Sequence, residues 1–489
     1  MRTSFTGIEI ARRALQAQQR SLDIVGHNVA NANTPGYSRQ VAVHTSSQPY
    51  PIPQFTHNPS VGMVGTGVEI GQITRMRDQF VEMRLRQENH NLGYWQTLKD
   101  GLTQVELIFN EPSEHGIHQA LNKFWDSLSE LSRNPESDAN RTVVLQTAEA
   151  LAESIRHVRS QLGKQRDNMN TIAEIKVSEI NTIAQQIADL NKQISRVVVA
   201  GYQANDLLDK RDELLQQLSQ ITNIEVVESE SQQITVSISG ATLVDRTRTY
   251  ALETAKNFDL GYERVEVIWQ GSNAPVHVTS GELYGVLVFR DGTDNFPGVQ
   301  GYIDQLNEWT ANFINTVNKI HKKGYDLDSK PGQDFFVVDV LGGTPDSVTK
   351  EHDPSLLIRV NITDPNQIAA SNELHNGEVV RGNGNIALQL ASLRHTPYQP
   401  GQPKLSDSFN AIIAGLGVRA MEANVMVENG IALGDHLEKL RESISGVNLD
   451  EEMADMIKFQ HAYNAAARIM TAMDEALDTI INRMGAVGR

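Results

Sequence analysis

The residues best suited to chemistry in this chain do not assemble into a reactive set. His115 and His118 stand three apart, so a helix would bring them onto one face as two ligands of a metal. No third ligand and no His-Glu-x-x-His pattern accompanies them, and solvated histidines are the simpler reading. Asp326-Leu327-Asp328-Ser329-Lys330 opens like a calcium loop. A lysine then occupies the fifth position, no glutamate follows at the twelfth, and the segment reads as a turn. Arg381-Gly382-Asn383-Gly384-Asn385-Ile386-Ala387 is a degenerate Gly-x-Gly-x-x-Ala. It lacks the βαβ unit and the following acidic residue that dinucleotide binding needs, so it too reads as a turn. Glu451 and Glu452 are adjacent. On a helix their side chains diverge, which makes a poor acid–base pair but a good helix N-terminus. Arg12, Arg13 and Arg20 read as a solvated helix face. No Gly-x-Ser-x-Gly and no phosphate-cradling Gly-Lys-Ser/Thr occurs. An enzyme, a wall hydrolase for example, would need a convergent acid–base cleft that the sequence does not offer. No catalytic residue, cofactor or metal is expected.

Composition narrows the class further. The chain has 489 residues, enough for about three domains at ~150 residues each. Its net charge is −17, so nucleic acid and anionic lipid would repel it. There is no cysteine, which removes disulfides, thiol nucleophiles and zinc–thiolate sites together. The most apolar windows, such as Val197 to Ala200 and Val286 to Phe289, stop after four residues, far short of the ~20 that span a bilayer. Met1-Arg2-Thr3-Ser4-Phe5 leads into Glu9, Arg12 and Arg13 without an apolar core, unlike a cleavable signal. The expectation is a protein kept in the cytoplasm, or exported by a route that leaves its N-terminus intact.

The elements that position everything else are the ends. Ile8, Ala11, Leu15, Gln18, Leu22, Val25 and Val29 follow a 3-4 spacing, which predicts one stripe of a helix. That helix must stop near Asn33, because Pro35 disfavours the α conformation at Thr34 and Gly36 permits positive φ. Asn28, Asn31 and Asn33 are short amides able to bond backbone groups as the helix ends. The last forty residues repeat the pattern: Met456, Phe459, Tyr463, Ala466, Met470, Met473, Leu477, Ile480 and Met484 form a coiled-coil-like seam. Met and Ala dominate it, so the seam is adaptable. Stripes at both extremes predict that the ends pair with each other or with other copies.

Between the ends the fold class reads as α+β, mainly α: terminal coiled-coil-like helices and an elongated helical bundle with small inserted β domains. Residues 1–60 with 446–489 form the expected terminal helical domain. The bundle takes 61–222, 298–328 and 404–445. A β domain spans 223–297, from Ile224 through Val286 to Phe289, and Ile234, Val236 and Ile238 alternate with polar residues. A further β-rich insertion covers 329–403, with strands expected at Phe335 to Val340 and Leu356 to Ile362, and belongs to the same outer domain or to a second one. The chain from Thr66 onward reads as helix, and Asn205-Asp206 reads as the cap of a short helix.

Asn28-Val29-Ala30-Asn31-Ala32-Asn33-Thr34-Pro35-Gly36-Tyr37 resembles the N-terminal signature of the bacterial flagellar rod, hook and hook-associated protein family. Ser38-Arg39-Gln40 after it is similar to the branch at the first hook–filament junction. So are Asn205 to Asp212, Gly281 to Gly285 with Phe289-Arg290-Asp291, Gly324 to Leu327 with Asp334-Phe335-Phe336, and Val447 to Met453 with Phe459-Gln460 and Ala462-Tyr463. The resemblance spans nearly the whole chain and is weakest from Leu341 to Pro403. It implies a non-catalytic structural protein, outside the cell at the hook–filament junction, exported unfolded by the flagellar type III system without a cleaved signal. It implies a homo-oligomeric ring that contacts the hook protein and the second junction protein, with the β module facing outward. It also implies an export chaperone held by the C-terminal helix, which we place on Met456 to Met484, with no nucleic acid and no membrane insertion. The stripes Ile8 to Val29 and Met456 to Met484 become its expected assembly interface. An extracellular coiled-coil adhesin is the alternative reading; it would not need two terminal helices that work only together.

Overall fold

A computed structural model describes residues 6–48, 65–113, 116–229, 231–259, 261–339 and 347–479. Along the chain these are α1 (Thr6–Asn31), β1 (Gln40–Ser46), β2 (Val68–Arg75), α2 (Gln79–Phe109), α3 (Ile117–Arg133), α4 (Asp138–Val199) and α5 (Asn205–Ile221). Strands β3 (Glu225–Glu228), β4 (Ile234–Ile238), β5 (Ala241–Asp245), β6 (Arg248–Thr249), β7 (Leu252–Asn257) and β8 (Arg264–Trp269) follow. Then come α6 (Glu282–Asp291), α7 (Gly298–His321), β9 (Phe336–Val338), α8 (Pro354–Leu357), β10 (Ile358–Val360), β11 (Leu374–His375) and β12 (Glu378–Val379). Last are α9 (Asn385–Ser392), α10 (Leu405–Ser445) and α11 (Leu449–Asp478). Every paired sheet is small and antiparallel, so the class is α+β and mainly α.

Contacts group the chain into two compact units. The first holds Met1–Asn89, Ile180–Ala251 and Ile431–Arg489. Here α1 packs along α11. The pairing is antiparallel: Asn28 bonds Glu452 near one end, and at the other a Cβ on Gly7 would lie 2.9 Å from Met473 Cε. The β1–β2 hairpin lies against α1, its register shifting between Val43 and His44. The sheet β3-β4-β5-β6 buries Ile234, Val236 and Ile238 at period two, as the sequence predicts. Asn191 of α4 clips this sheet. Its amide donates to Ile234 O (2.9 Å) and Arg246 O (2.7 Å), and its oxygen accepts from Ile234 N–H.

The second unit holds His90–Glu179 and Leu252–Gly430. Its core is aromatic: Phe124, Trp125, Phe313, Phe335 and Phe336 are fully buried, and Trp309 stacks on Phe313 at 5.8 Å. Helix-borne asparagines again hold the β pieces. Asn170 of α4 donates to Glu263 O and accepts from Val265 N–H. Asn318 of α7 donates to Phe336 O and accepts from the N–H groups of Phe335 and Phe336. The pairs β7–β8 and β9–β10 are thus short strands fixed to helices, and in β11–β12 Val379 N–H donates to Ser329 Oγ.

Three local expectations are corrected. Val286 to Phe289 is helix, inside α6; a four-residue apolar run does not distinguish a buried strand from a buried helix, and Leu283, Val286 and Phe289 recur at helical spacing. The stretch after Thr66 is strand β2 before it is helix, because Val68 and Ile70 pair with β1. Leu356 and Leu357 close a helical turn before β10 begins at Ile358.

His321 gives this unit a sensitivity to acid. Its Nε2 accepts from Ala369 N–H (2.9 Å), so the ring proton sits on Nδ1, which donates to Gln333 O (2.6 Å). Burial pushes its pKa down from 6.5 to about 4, against the hydrogen bond to Gln333 O and the pull of Asp334 and with the push of Arg141. Above pH 6.5 both folded and unfolded chains carry a neutral ring; below it only the unfolded chain gains a proton. The expected loss between pH 6.5 and 4 is about 3 kcal/mol. Denaturation at pH 7 and pH 4.5 checks it: His321→Gln is less stable at pH 7, with a pH difference smaller than that of the native chain by about 2 kcal/mol. An unchanged difference refutes the assignment.

Candidate functional site

The signature turn, α5 and the start of α11 meet at one buried polar joint in the first unit. Helix α1 ends at Asn31, and the chain reverses through Thr34 and Gly36, whose φ of +76° is the left-handed conformation glycine allows. The reversal returns Tyr37 to Gln40 alongside Asn28. Asn28 is 1% exposed and its amide is fully used. Nδ2 donates to Gln40 O (2.9 Å) and Glu452 Oε2 (3.0 Å); Oδ1 accepts from Gln40 N–H (3.0 Å) and the Tyr37 hydroxyl (2.8 Å). Burial, with the charges of Asp206, Asp209 and Glu452, raises the Tyr37 pKa well above its ordinary range, so the hydroxyl stays a donor.

Glu452 is equally buried, yet Arg39 Nε donates to it at 2.7 Å. The same guanidinium bonds Glu451 at 2.9 Å and lies 3.8 Å from Asp455. Burial opposes the charge of Arg39, but Glu452 and Glu451 outweigh it and its pKa rises. The Arg39 backbone N–H also donates to Ser445 O (2.8 Å). Asn448 caps α11 by accepting from the N–H groups of Asp450 and Glu451. One arginine therefore ties the N-terminal segment to the break between α10 and α11.

The adjacent contacts use α5. Ser38 donates to Asp209 from backbone and side chain, at 3.1 and 2.8 Å. Gln40 donates to Asp206 Oδ1, and Asn205 donates to Gln40 Oε1 and to Ile73 O. Arg75 of β2 bridges Asp209 and Asp212, and Arg77 joins Asp212. Asn205 therefore does not cap α5, as expected from sequence; Ala204 holds the cap position, and the Asn205 amide docks the hairpin.

Predicted residues fall around this joint as follows. On α1, Val25 is buried, Ile8, Leu15 and Leu22 are half-buried, and Val29 is exposed at the rim. On α11, Met456, Phe459, Met470 and Leu477 are half-buried, whereas Tyr463 is 36% and Met473 39% exposed. Phe459 stacks on His44, whose ring meets Ser21 Oγ at 3.1 Å. Ile480 and Met484 lie outside the described residues, as does His115. Of the signature, Asn28, Gly36 and Tyr37 build the joint, Asn31 donates back to His27 O, and Asn33, Thr34 and Pro35 are exposed. Sequence reasoning named Arg39, Gln40, Asp209 and Glu452 only within motifs and gave them no contact, and it missed Arg75. The available signal was charge: two acidic motifs, each matched to an arginine near the signature.

Among the described residues no cluster of three or more His, Asp or Glu side chains could hold a metal, and no helix is long and apolar enough to cross a membrane. Glu451 and Glu452 both serve Arg39.

Known proteins share these segments. Residues 102–336 match the flagellar hook-associated protein FlgK helical domain, 8–37 the flagella basal body rod protein family, and 441–484 the flagellar basal body rod FlgEFG protein C-terminal family. The flagellar hook-associated protein 1 of Bacillus subtilis is 32% identical over 519 residues, covering all of both chains. That of Salmonella typhimurium is 24% identical over 576 residues, covering 97% of this chain and 99% of its own. The flagellar hook junction protein FlgK of Burkholderia pseudomallei shares the fold, with a TM-score of 0.62 and 16% identity over 74% of this chain and 100% of that one. With full-length identity to the Bacillus protein, and a joint assembled from its matched segments, the chain belongs to the flagellar hook-associated protein 1 family, a family of structural flagellar components rather than enzymes.

Proposed function

We propose that this chain polymerises as a ring at the distal end of the hook and joins hook to filament, after leaving the cell unfolded through the flagellar type III system. The observation that carries the reading is the joint at Asn28: it ties α1 to α11 as one paired-helix element, while the paired seam stays partly open to solvent. A lone protein gains little from leaving Tyr463 and Met473 exposed on that seam; neighbours in a ring would cover them. The partners in this reading are further copies, the hook protein and the second junction protein. Ile457, Ile469 and Met473, exposed within Met456 to Met484, would need covering before assembly, which suits an export chaperone on that stretch of the C-terminal helix. The β module at 223–297 faces outward in this reading.

Deleting the gene tests the reading. The expected phenotype is bare hooks with flagellin released unpolymerised into the medium. Cells that keep intact filaments would remove the junction role.

A further inference from the structure

Helix α1 is fastened to α11 by different chemistry at its two ends. Near its last turn the Asn28 amide bonds the Glu452 carboxylate. Near its first turn α1 carries no side chain at Gly7, and the tail of Met473 lies on the bare backbone: a Cβ placed there would be 2.9 Å from Met473 Cε and 3.0 Å from Sδ. The two points are about 30 Å apart along α1, at ~1.5 Å per residue. A thioether suits the second place because it is apolar, unbranched and slim.

The same sulfur is open to oxidation. The chain has no cysteine, so its methionine thioethers are the groups that peroxide attacks most readily. Met473 is 39% exposed, so an oxidant reaches it from solvent while its tail still rests on α1. Met83 and Met421 are more open, at 51% and 66%, and a polar group made there has water around it. Met473 differs in what lies beneath it. The free N–H groups of a helix's first turn point along the axis, whereas Met473 approaches from the side, where a Cβ would stand. An oxygen added to sulfur in that contact gives up water without a donor in return.

We propose that Met473 is an oxidation site that sets how firmly the start of α1 is held. A sulfur lone pair forms an S–O bond to one oxygen of hydrogen peroxide, and the O–O bond breaks. The proton on the transferred oxygen passes to the departing hydroxide. The thioether loses two electrons and becomes a sulfoxide, and the peroxide is reduced to water. To keep its water, the sulfoxide tail leaves Gly7. The segment from Thr6 to Leu15 then opens more often, while the Asn28 joint still holds the other end of α1. Nothing in this step requires a ring; it takes place on the single chain.

The test treats the purified full chain with hydrogen peroxide, maps sulfoxides by peptide mass spectrometry and compares hydrogen exchange before and after. With Met473 converted, Thr6 to Leu15 should exchange about tenfold faster, with protection unchanged from Leu22 to Asn28 and in the aromatic core of the second unit. A methionine sulfoxide reductase should restore the original protection. Met473→Leu keeps an apolar side chain without sulfur, and peroxide should leave its α1 unchanged. Met473→Gln, polar and of similar length, should open the same segment without peroxide. A Met473 that stays reduced while Met83 and Met421 convert overturns the site. Full conversion with Thr6 to Leu15 unchanged overturns the coupling. So does equal opening in the treated Met473→Leu chain, which assigns the effect to another methionine.

Discussion

Replacing Leu477 by aspartate is expected to leave the purified chain folded and to abolish its incorporation into flagella. Leu477 is half-buried on the seam of α11, one turn beyond the 39%-exposed Met473. Within one chain the new carboxylate can turn toward water, so the second unit should melt unchanged. In an assembled ring every neighbouring contact would have to bury it. Burying an unpaired carboxylate costs several kcal/mol after relaxation, and 3 kcal/mol alone is about a hundredfold in affinity. Repeated around a ring, that cost stops growth. The measurement is filament count per cell and the amount of variant in isolated hook–filament structures. Leu477→Met, which keeps volume and apolarity, should assemble normally. Normal filaments from the aspartate variant would remove α11 from the assembly interface.

Asn28→Ala should loosen both ends of the chain together. The substitution removes four hydrogen bonds and strands Gln40 N–H, Gln40 O, the Tyr37 hydroxyl and part of a buried Glu452 carboxylate. A neutral group left unpaired costs about 1–3 kcal/mol, and weakening a buried charge pair costs about 3–5 kcal/mol. The terms overlap, so a combined loss of about 4 kcal/mol is expected. Hydrogen exchange should then show α1 and α11 opening about a thousandfold more often, with the aromatic core of the second unit unchanged. Unaltered protection of α1 would show that Asn28 does not hold the ends.

The helices were legible in the sequence because their apolar residues recur every three or four positions over several turns. Ile303, Leu306, Phe313 and Val317 are buried on α7, as that rule requires. The terminal stripes were legible for the same reason. The β1–β2 hairpin was not: it is half-exposed, interrupted by a register shift at Val43, and its hydrophobic contrast is weak. Of the joint, only the signature could be read. Asn28 at a helix end has the chemistry of a cap, and Glu452 in a first turn has the chemistry of a dipole partner. Their actual bond joins positions 424 apart, a pairing that no local pattern encodes.

The asparagine clips have a consequence for the order in which this chain folds. Asn191 reaches a strand 43 positions later, Asn170 one 95 positions later, and each presents its amide from a helix. A helix turn closes in well under a microsecond, whereas long-range pairing waits on loop closure. Each clip exists only once its helix has formed, so the β pieces are followers. The β segments are therefore expected to gain hydrogen-exchange protection after α4 does.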